Sequence, residues 1–249
     1  MTSRLAVAAL AAFAFTAPVV AGEPAGHKSE WSYEGATGPS EWGRLKPEFG
    51  ACAGRSNQSP IDIATTIDAV LPPLKTRYPA AGIEVINNGH TVQANFKPGS
   101  AVTIDGRAFE LKQFHFHSPS ENRISGKSYP LEAHLVHADT DGQLTVIAVF
   151  FAEGKPNPMV TAVWERIPKV GEKNDLPAPL SAAALLPANR DYYRFNGSLT
   201  TPPCSEGVRW IVMKQPMTVS KAQIEQFQKT LGFANNRPVQ PVLARPVLR

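Results

Sequence analysis

Gln113-Phe114-His115-Phe116-His117, followed after a turn-rich connector by Leu131-Glu132-Ala133-His134-Leu135-Val136-His137, is the stretch on which the reading of this chain turns. Four of the six histidines fall there. On a strand, side chains alternate between faces, so His115 and His117 point one way and Phe114 and Phe116 the other. The connector Ser118–Pro130 suits an antiparallel neighbour. Residues three apart on a strand face opposite sides, so only one of His134 and His137 joins the pair, and parity alone leaves open which. A helical reading of 131–137 would put both on one face as a His-x-x-His pair, against which stand the β-rich surroundings and Pro130. With one of them beside His115 and His117, three neutral imidazoles converge, the donor set of a tetrahedral zinc site whose fourth position is left for water. Taken alone, the His115/His117 pair also fits a stacked aromatic-histidine strand without metal.

Outward from this stretch the chain is rich in strand-like segments: Ile83–Ile86, Thr91–Phe96, Ala101–Ile104, Phe109–His117, Leu131–His137, Leu144–Phe151 and Val208–Met213. The 23 prolines, several paired or nearly so, punctuate it and leave little room for long helices. Two helices are expected. One begins at Ser220, with Gln223 completing a capping box, Ile224, Phe227 and Leu231 on its face and Gly232 at its end. The other covers Pro158–Ile167, where Val160, Val163, Trp164 and Ile167 share a face. The Pro-rich stretch 168–187 reads as a long surface loop. No repeat or linker divides the chain, so the fold class is a mainly β single domain.

The first residues carry one charge, Arg4, and then an uncharged apolar run from Leu5 to Phe15, too short to span a bilayer. With small residues before Gly22 it reads as a secretory signal over residues 1–21, leaving a mature domain over 22–249 and no stable membrane span after cleavage. The net charge of +4 comes from scattered rather than striped Lys and Arg, which excludes a nucleic-acid surface as the leading reading. The two cysteines, Cys52 and Cys204, read first as a disulfide in an exported chain. The expected location is the periplasm or the medium.

Chemistry at a metal-activated water needs an oriented hydroxyl as well as a metal. Ser198-Leu199-Thr200-Thr201-Pro202-Pro203 offers hydroxyls on a stiffened turn. A threonine fixes the orientation of a hydroxide only if its own proton is committed elsewhere, and Glu121, just past the histidine strand, is a candidate acceptor.

Together with these segments, Gln58-Ser59-Pro60-Ile61-Asp62-Ile63 and Asn87-Asn88-Gly89-His90 complete a set that, in order and approximate spacing, resembles the α-carbonic anhydrases. The likeness runs from Trp31-Ser32-Tyr33 to Asn236-Arg237-Pro238. It implies reversible hydration of carbon dioxide to bicarbonate by a zinc-bound hydroxide, on a central, largely antiparallel twisted sheet with short surrounding helices and a conical active site. It implies that His115, His117 and His134 are the Zn2+ ligands, choosing His134 over His137, with Gln113 and Glu132 holding ligand imidazoles. Thr200 resembles the hydroxyl that accepts the hydroxide proton, Glu121 its acceptor, and His90 the proton shuttle. Tyr33, Asn88 and Gln93 resemble the residues that organise the water path. Val136, Val146, Leu199, Val208 and Trp210 resemble the apolar wall for carbon dioxide.

The same likeness implies cis peptide bonds at Ser59-Pro60 and Pro202-Pro203, a Cys52–Cys204 disulfide restraining the Thr200 turn, and compatibility with a homodimer. After His117 the sequence Ser118-Pro119-Ser120-Glu121 departs from animal members and resembles the bacterial branch. Two other readings compete: a non-catalytic binding protein on the same fold, and a periplasmic zinc scavenger. The intact His115, His117, His134, Thr200 and Glu121 argue against the first. The second calls for a His/Asp-rich loop, which the sequence does not show.

Overall fold

The computed structural model describes residues 30–54 and 56–249, so the signal expected over 1–21 lies outside the described residues. The strands are β1 (Asp62–Ile63), β2 (Lys75–Arg77), β3 (Gly82–Asn87), β4 (Val92–Phe96), β5 (Ala101–Ile104), β6 (Arg107–His117), β7 (Arg123–Ile124), β8 (Leu131–Ala138), β9 (Leu144–Glu153), β10 (Lys173–Leu180), β11 (Tyr192–Ser198), β12 (Glu206–Met213) and β13 (Met217–Val219). The helices are α1 (Trp42–Leu45), α2 (Pro158–Trp164) and α3 (Lys221–Leu231). No helix among the described residues is long and apolar enough to cross a membrane.

Eleven strands form one sheet with the order β10-β3-β4-β6-β8-β9-β12-β11, while β5 joins β2 to β6, and β13 joins β9. The mainly β expectation holds, and all seven strand segments read from the sequence are strands here. The sheet is antiparallel through β8–β9 and then mixed, because β12 and β13 both pair with β9 in parallel. Strands β1 and β7 form a separate short parallel pair.

The central strands β6 and β8 are where the apolar alternation is put to use. Phe114 and Phe116 point into the larger core cluster under the helices. Phe116 meets Trp164 edge-on at 4.8 Å and Phe227 at 6.3 Å, and those two rings stack on each other at 5.2 Å. Helix α2 starts where the Asn157 side chain accepts from the Met159 and Val160 amides, with Pro158 at the first position. Helix α3 has the expected Ser220/Gln223 capping box and ends at Gly232, whose φ of 80° is the left-handed conformation glycine adopts without strain. The helix-side aromatics therefore pin the strand that carries His115 and His117 to the opposite face.

The stretch 168–187 is not the loop expected of it, since it contains β10 and a 3-10 turn at Ala182–Leu185. Strand β10 sits at the sheet edge, and its register against β3 breaks between Asp175 and Leu180. Pro177 and Pro179 fall in that interval, where a missing N–H costs no ladder bond. Helix α2 ends at Trp164 rather than Ile167. Besides the expected cis bonds at Ser59-Pro60 and Pro202-Pro203, a third occurs at Ser118-Pro119.

Candidate active site

Register decides what parity left open. His115 on β6 lies opposite His134 on β8, whereas His137 lies opposite Leu111 and points into the other layer. There the Tyr78 hydroxyl donates to His137 Nε2 at 2.7 Å and His137 Nδ1 faces the Thr145 carbonyl at 3.3 Å. The donor atoms of His115, His117 and His134 all lie within 4.8 Å of one another.

Each imidazole is oriented by one nitrogen. His115 Nδ1 bonds Gln113 Oε1 at 2.8 Å, His117 Nδ1 the Asn235 carbonyl at 2.7 Å, and His134 Nε2 bonds Glu132 Oε1 at 3.0 Å. The partners are acceptors, so these nitrogens carry the protons and the lone pairs remain on His115 Nε2, His117 Nε2 and His134 Nδ1. Burial holds all three rings below the usual imidazole range, hence neutral at pH 7. His117 Nε2 is buried and has no hydrogen-bond partner. An orphaned lone pair aimed at two others is what a cation would satisfy, so the donor set fits zinc. His117 and His134 are buried while His115 is half-buried, so the cluster opens on the His115 side.

The carboxylates around the triad are fully buried. Glu132 accepts from the Glu121 and Asn122 amides at 2.7 and 2.9 Å and from Asn122 Nδ2 at 2.8 Å, besides meeting His134. Burial nevertheless pushes it up to about 7, with Asn122 opposing. Glu121 is pushed up to about 8 by burial, while the Thr200 hydroxyl and the Arg237 amide, the latter donating to Oε1 at 2.8 Å, favour its charged form. Its Oε2 has no bond of full hydrogen-bond geometry and stands 3.5 Å from His117 Nε2.

The Thr200 turn is held from several sides. Ser59 and Ser198 exchange bonds, Ser59 N to Ser198 Oγ at 2.9 Å and Ser198 N to Ser59 Oγ at 3.2 Å. Cys52 and Cys204 form a disulfide. Buried Arg237 donates to Gln58 Oε1, the Ser59 carbonyl and the Cys52 carbonyl, tying both flanks together. Val146, Val208 and Trp210 belong to one apolar cluster, with Val136 and Leu199 packed against it. Trp210 meets the His134 ring at 4.9 Å, which places this apolar wall beside the triad.

The outer residues are arranged differently from one another. His90 stacks on Trp31 at 3.7 Å with the rings 5° from parallel, and burial pushes its imidazole down to about 4. Asn88 uses Oδ1 to accept from the His90 and Thr91 amides at 2.9 Å, shaping the turn itself. Tyr33 is buried, stacked against Phe233, and its hydroxyl is raised well above the usual range by burial and then by Glu121. Gln93 lies opposite His115 on β4 and donates to Asn95.

Sequence reading missed Asn235, Asn122 and the backbone of Arg237. Asn235 holds His117 through its carbonyl, while its side chain accepts from Ser118 N and donates to the His90 and Phe116 carbonyls. Bonds through carbonyls and amides leave no mark in residue types. Asn122 and Asn235 also act through side chains that are completely buried, which the structure shows and the sequence does not announce.

Residues 37–249 match the family model for eukaryotic-type carbonic anhydrase. The chain belongs to the α-carbonic anhydrase family. A carbonic anhydrase of Pectobacterium carotovorum is 45% identical over 249 residues, covering 100% of both chains. The α-carbonic anhydrase of Thermovibrio ammonificans, solved with sulfanilamide, superposes with a TM-score of 0.86 at 51% identity, covering 88% of this chain and 98% of that one. The Photobacterium profundum α-carbonic anhydrase gives 0.84 at 52%, covering 88% and 100%. The protein is a carbonic anhydrase, an enzyme of reversible carbon dioxide hydration, from a family that uses zinc.

Proposed function

We propose that this carbonic anhydrase holds its zinc through His115 Nε2, His117 Nε2 and His134 Nδ1. The observation that carries the assignment is the convergence of three lone pairs, one of them buried and without a partner. Zinc in an open three-imidazole site acidifies water and so supplies a nucleophile at neutral pH, carbonic anhydrase being the standard illustration of that effect.

Protein groups do the orienting. Thr200 directs its proton to Glu121, which leaves its oxygen as an acceptor facing the reacting centre. Glu121 serves this role in its charged form, which the Thr200 hydroxyl and the Arg237 amide favour against burial, and with that amide on Oε1 the other oxygen, Oε2, is left over. Val136, Val146, Leu199, Val208 and Trp210 give carbon dioxide, which has no net dipole, a surface without competing hydrogen bonds. His90 carries the proton outward. Stacked on Trp31 the ring is neutral and able to accept, and relay near neutrality requires an imidazole back in its ordinary range, hence off Trp31 and in water.

Residues 1–21 are proposed to be removed on export, giving a mature protein over 22–249 in the periplasm or the medium. The Cys52–Cys204 disulfide is in keeping with an oxidising compartment. The complete donor set disfavours a non-catalytic binding protein.

Stopped-flow hydration paired with bound-zinc measurement tests the site. Ala at His115, His117 or His134 is expected to lose zinc and activity together. Thr200→Ala is expected to keep zinc and lose about 10²–10³ in kcat/KM, the scale for an orienting hydrogen bond. Full zinc and full activity in all three histidine variants would overturn the assignment.

A further inference from the structure

A line of polar side chains crosses the sheet from its edge to the triad. Lys173 on β10 donates from Nζ to Glu84 Oε2 at 2.9 Å. Glu84 on β3 accepts through Oε1 from Asn95 Nδ2 at 2.8 Å. Asn95 on β4 accepts through Oδ1 from Gln93 Nε2 at 2.6 Å. Gln93 is the register partner of His115, and Asn95 of Gln113, the residue that bonds His115. Register partners share a sheet face, so the line ends on the half-buried side of the triad.

The direction of every bond in this line follows from its first member. A carboxylate has no proton to donate, so Asn95 turns its NH2 to Glu84 and is left with its carbonyl toward Gln93. Gln93 then turns its NH2 to Asn95, which leaves its own carbonyl for the cavity. Among the described residues Gln93 Oε1 has no protein partner and is not an unpartnered buried atom. The Lys173 and Asn95 bonds also hold Glu84 below the usual carboxylate range, so its acceptor-only character persists over the working pH range.

We propose that the Lys173–Glu84 pair is a polarity anchor that, through Asn95, makes Gln93 present an acceptor and not a donor beside His115. Lys173, Glu84 and Asn95 are positioning residues. The chemical consequence is selection at the wall: water and donor groups are bonded there, whereas an anionic oxygen, including that of bicarbonate, meets a carbonyl and finds no donor. The inference rests on the proposed zinc site only for that consequence, while the amide orientation stands without metal.

The test is the double exchange Glu84→Lys with Lys173→Glu, which keeps the ion pair and replaces the acceptor-only head by a donor-only one. The ammonium brought in by Glu84→Lys donates to the Asn95 carbonyl, and both amides reverse. In metal-free protein, side-chain amide NMR is expected to show NOEs from the Gln93 NH2 toward Asn95 in the native chain and toward His115 in the exchanged one. In zinc-loaded protein, acetate and bicarbonate are expected to inhibit the exchanged enzyme about threefold to tenfold more tightly, the worth of one hydrogen bond. An unreversed Gln93 amide in a folded exchanged variant overturns the anchor. Reversal without a change in anion inhibition overturns the wall selection and leaves the zinc assignment to its own test. Should the exchange not fold, the isosteric Glu84→Gln serves: Lys173 claims the introduced carbonyl, the introduced NH2 faces Asn95, and a reversed Gln93 orientation is expected, whereas a single native one overturns the proposal.

Discussion

Glu132 Oε1 lies 3.0 Å from His134 Nε2, and the carboxylate that makes this contact is itself held by two backbone amides and the Asn122 side chain. A fully buried carboxylate in that setting fixes the imidazole's tautomer and leaves Nδ1 free for metal. Glu132→Gln keeps the shape but brings an NH2 that cannot accept from donors already aimed at it. Zinc affinity is expected to fall about 10- to 100-fold, the usual effect of losing such a support, measured by competition with a chromophoric chelator. Affinity unchanged within about twofold would show that His134 is oriented by its packing alone.

Gly197, near the end of β11, lets Ser59 and the Trp210 ring lie close against the strand that leads into the Thr200 turn. A Cβ there would stand 2.1 Å from Ser59 Oγ and 2.9 Å from Trp210 Cδ1. Gly197→Ala must therefore part the Ser59/Ser198 pair or shift Trp210, whose Nε1 donates to the Ser198 carbonyl at 3.0 Å. Overpacking of this kind costs about 1–3 kcal/mol. Urea unfolding should show that loss, and hydration should slow more than stability alone explains because Trp210 flanks His134. Native unfolding midpoint and native rate together would contradict it.

How much of this was legible beforehand depends on whether a residue's type carries its role. Period-two alternation placed His115 and His117 together because the β6 backbone obeys it, and the family likeness selected His134 before the β6–β8 register did. Strand β10 was hidden by Pro177 and Pro179, since an edge strand tolerates prolines that a central one would not. Asn235 meets His117 and Arg237 meets Glu121 through backbone atoms, which any residue possesses. Asn88, expected in the water path, also uses its oxygen to accept from two backbone amides, a turn role that its residue type does not announce. Gln93 was read as a water-path residue without the Glu84–Asn95 line that directs it, because those residues meet only through cross-strand register.

The Cys52–Cys204 disulfide joins residues 152 positions apart and ends on Cys204, whose φ of 57° is left-handed for a residue with a side chain. The bridge limits the unfolded chain and holds that backbone beside the Thr200 turn. Replacing both cysteines with Ala is expected to lower stability by roughly 2–5 kcal/mol in denaturant unfolding. Hydration measured well below the unfolding transition should also fall, with zinc retained. Unchanged activity in the bridged and unbridged proteins would confine the disulfide to stability.

His137 supplies a pH dependence separable from the metal site. It is completely buried on the other sheet face, and burial pushes its imidazole from 6.5 down to about 4, against weaker support for the charged form from the Thr145 and Leu135 backbone. The folded protein therefore keeps it neutral while the unfolded chain protonates it below 6.5. Its contribution is complete above that value and is lost as pH falls from 6.5 toward 4, by roughly 3 kcal/mol at the lower end. Its facing partners, the Tyr78 hydroxyl and the Thr145 carbonyl, do not titrate in this window. His137→Asn removes the titration and leaves the zinc-site histidines in both proteins. The stability difference between native and variant, followed by urea unfolding from about pH 7 to about pH 4, should shrink as the pH falls. A difference independent of pH would mean that His137 is protonated, or neutral, equally in both states.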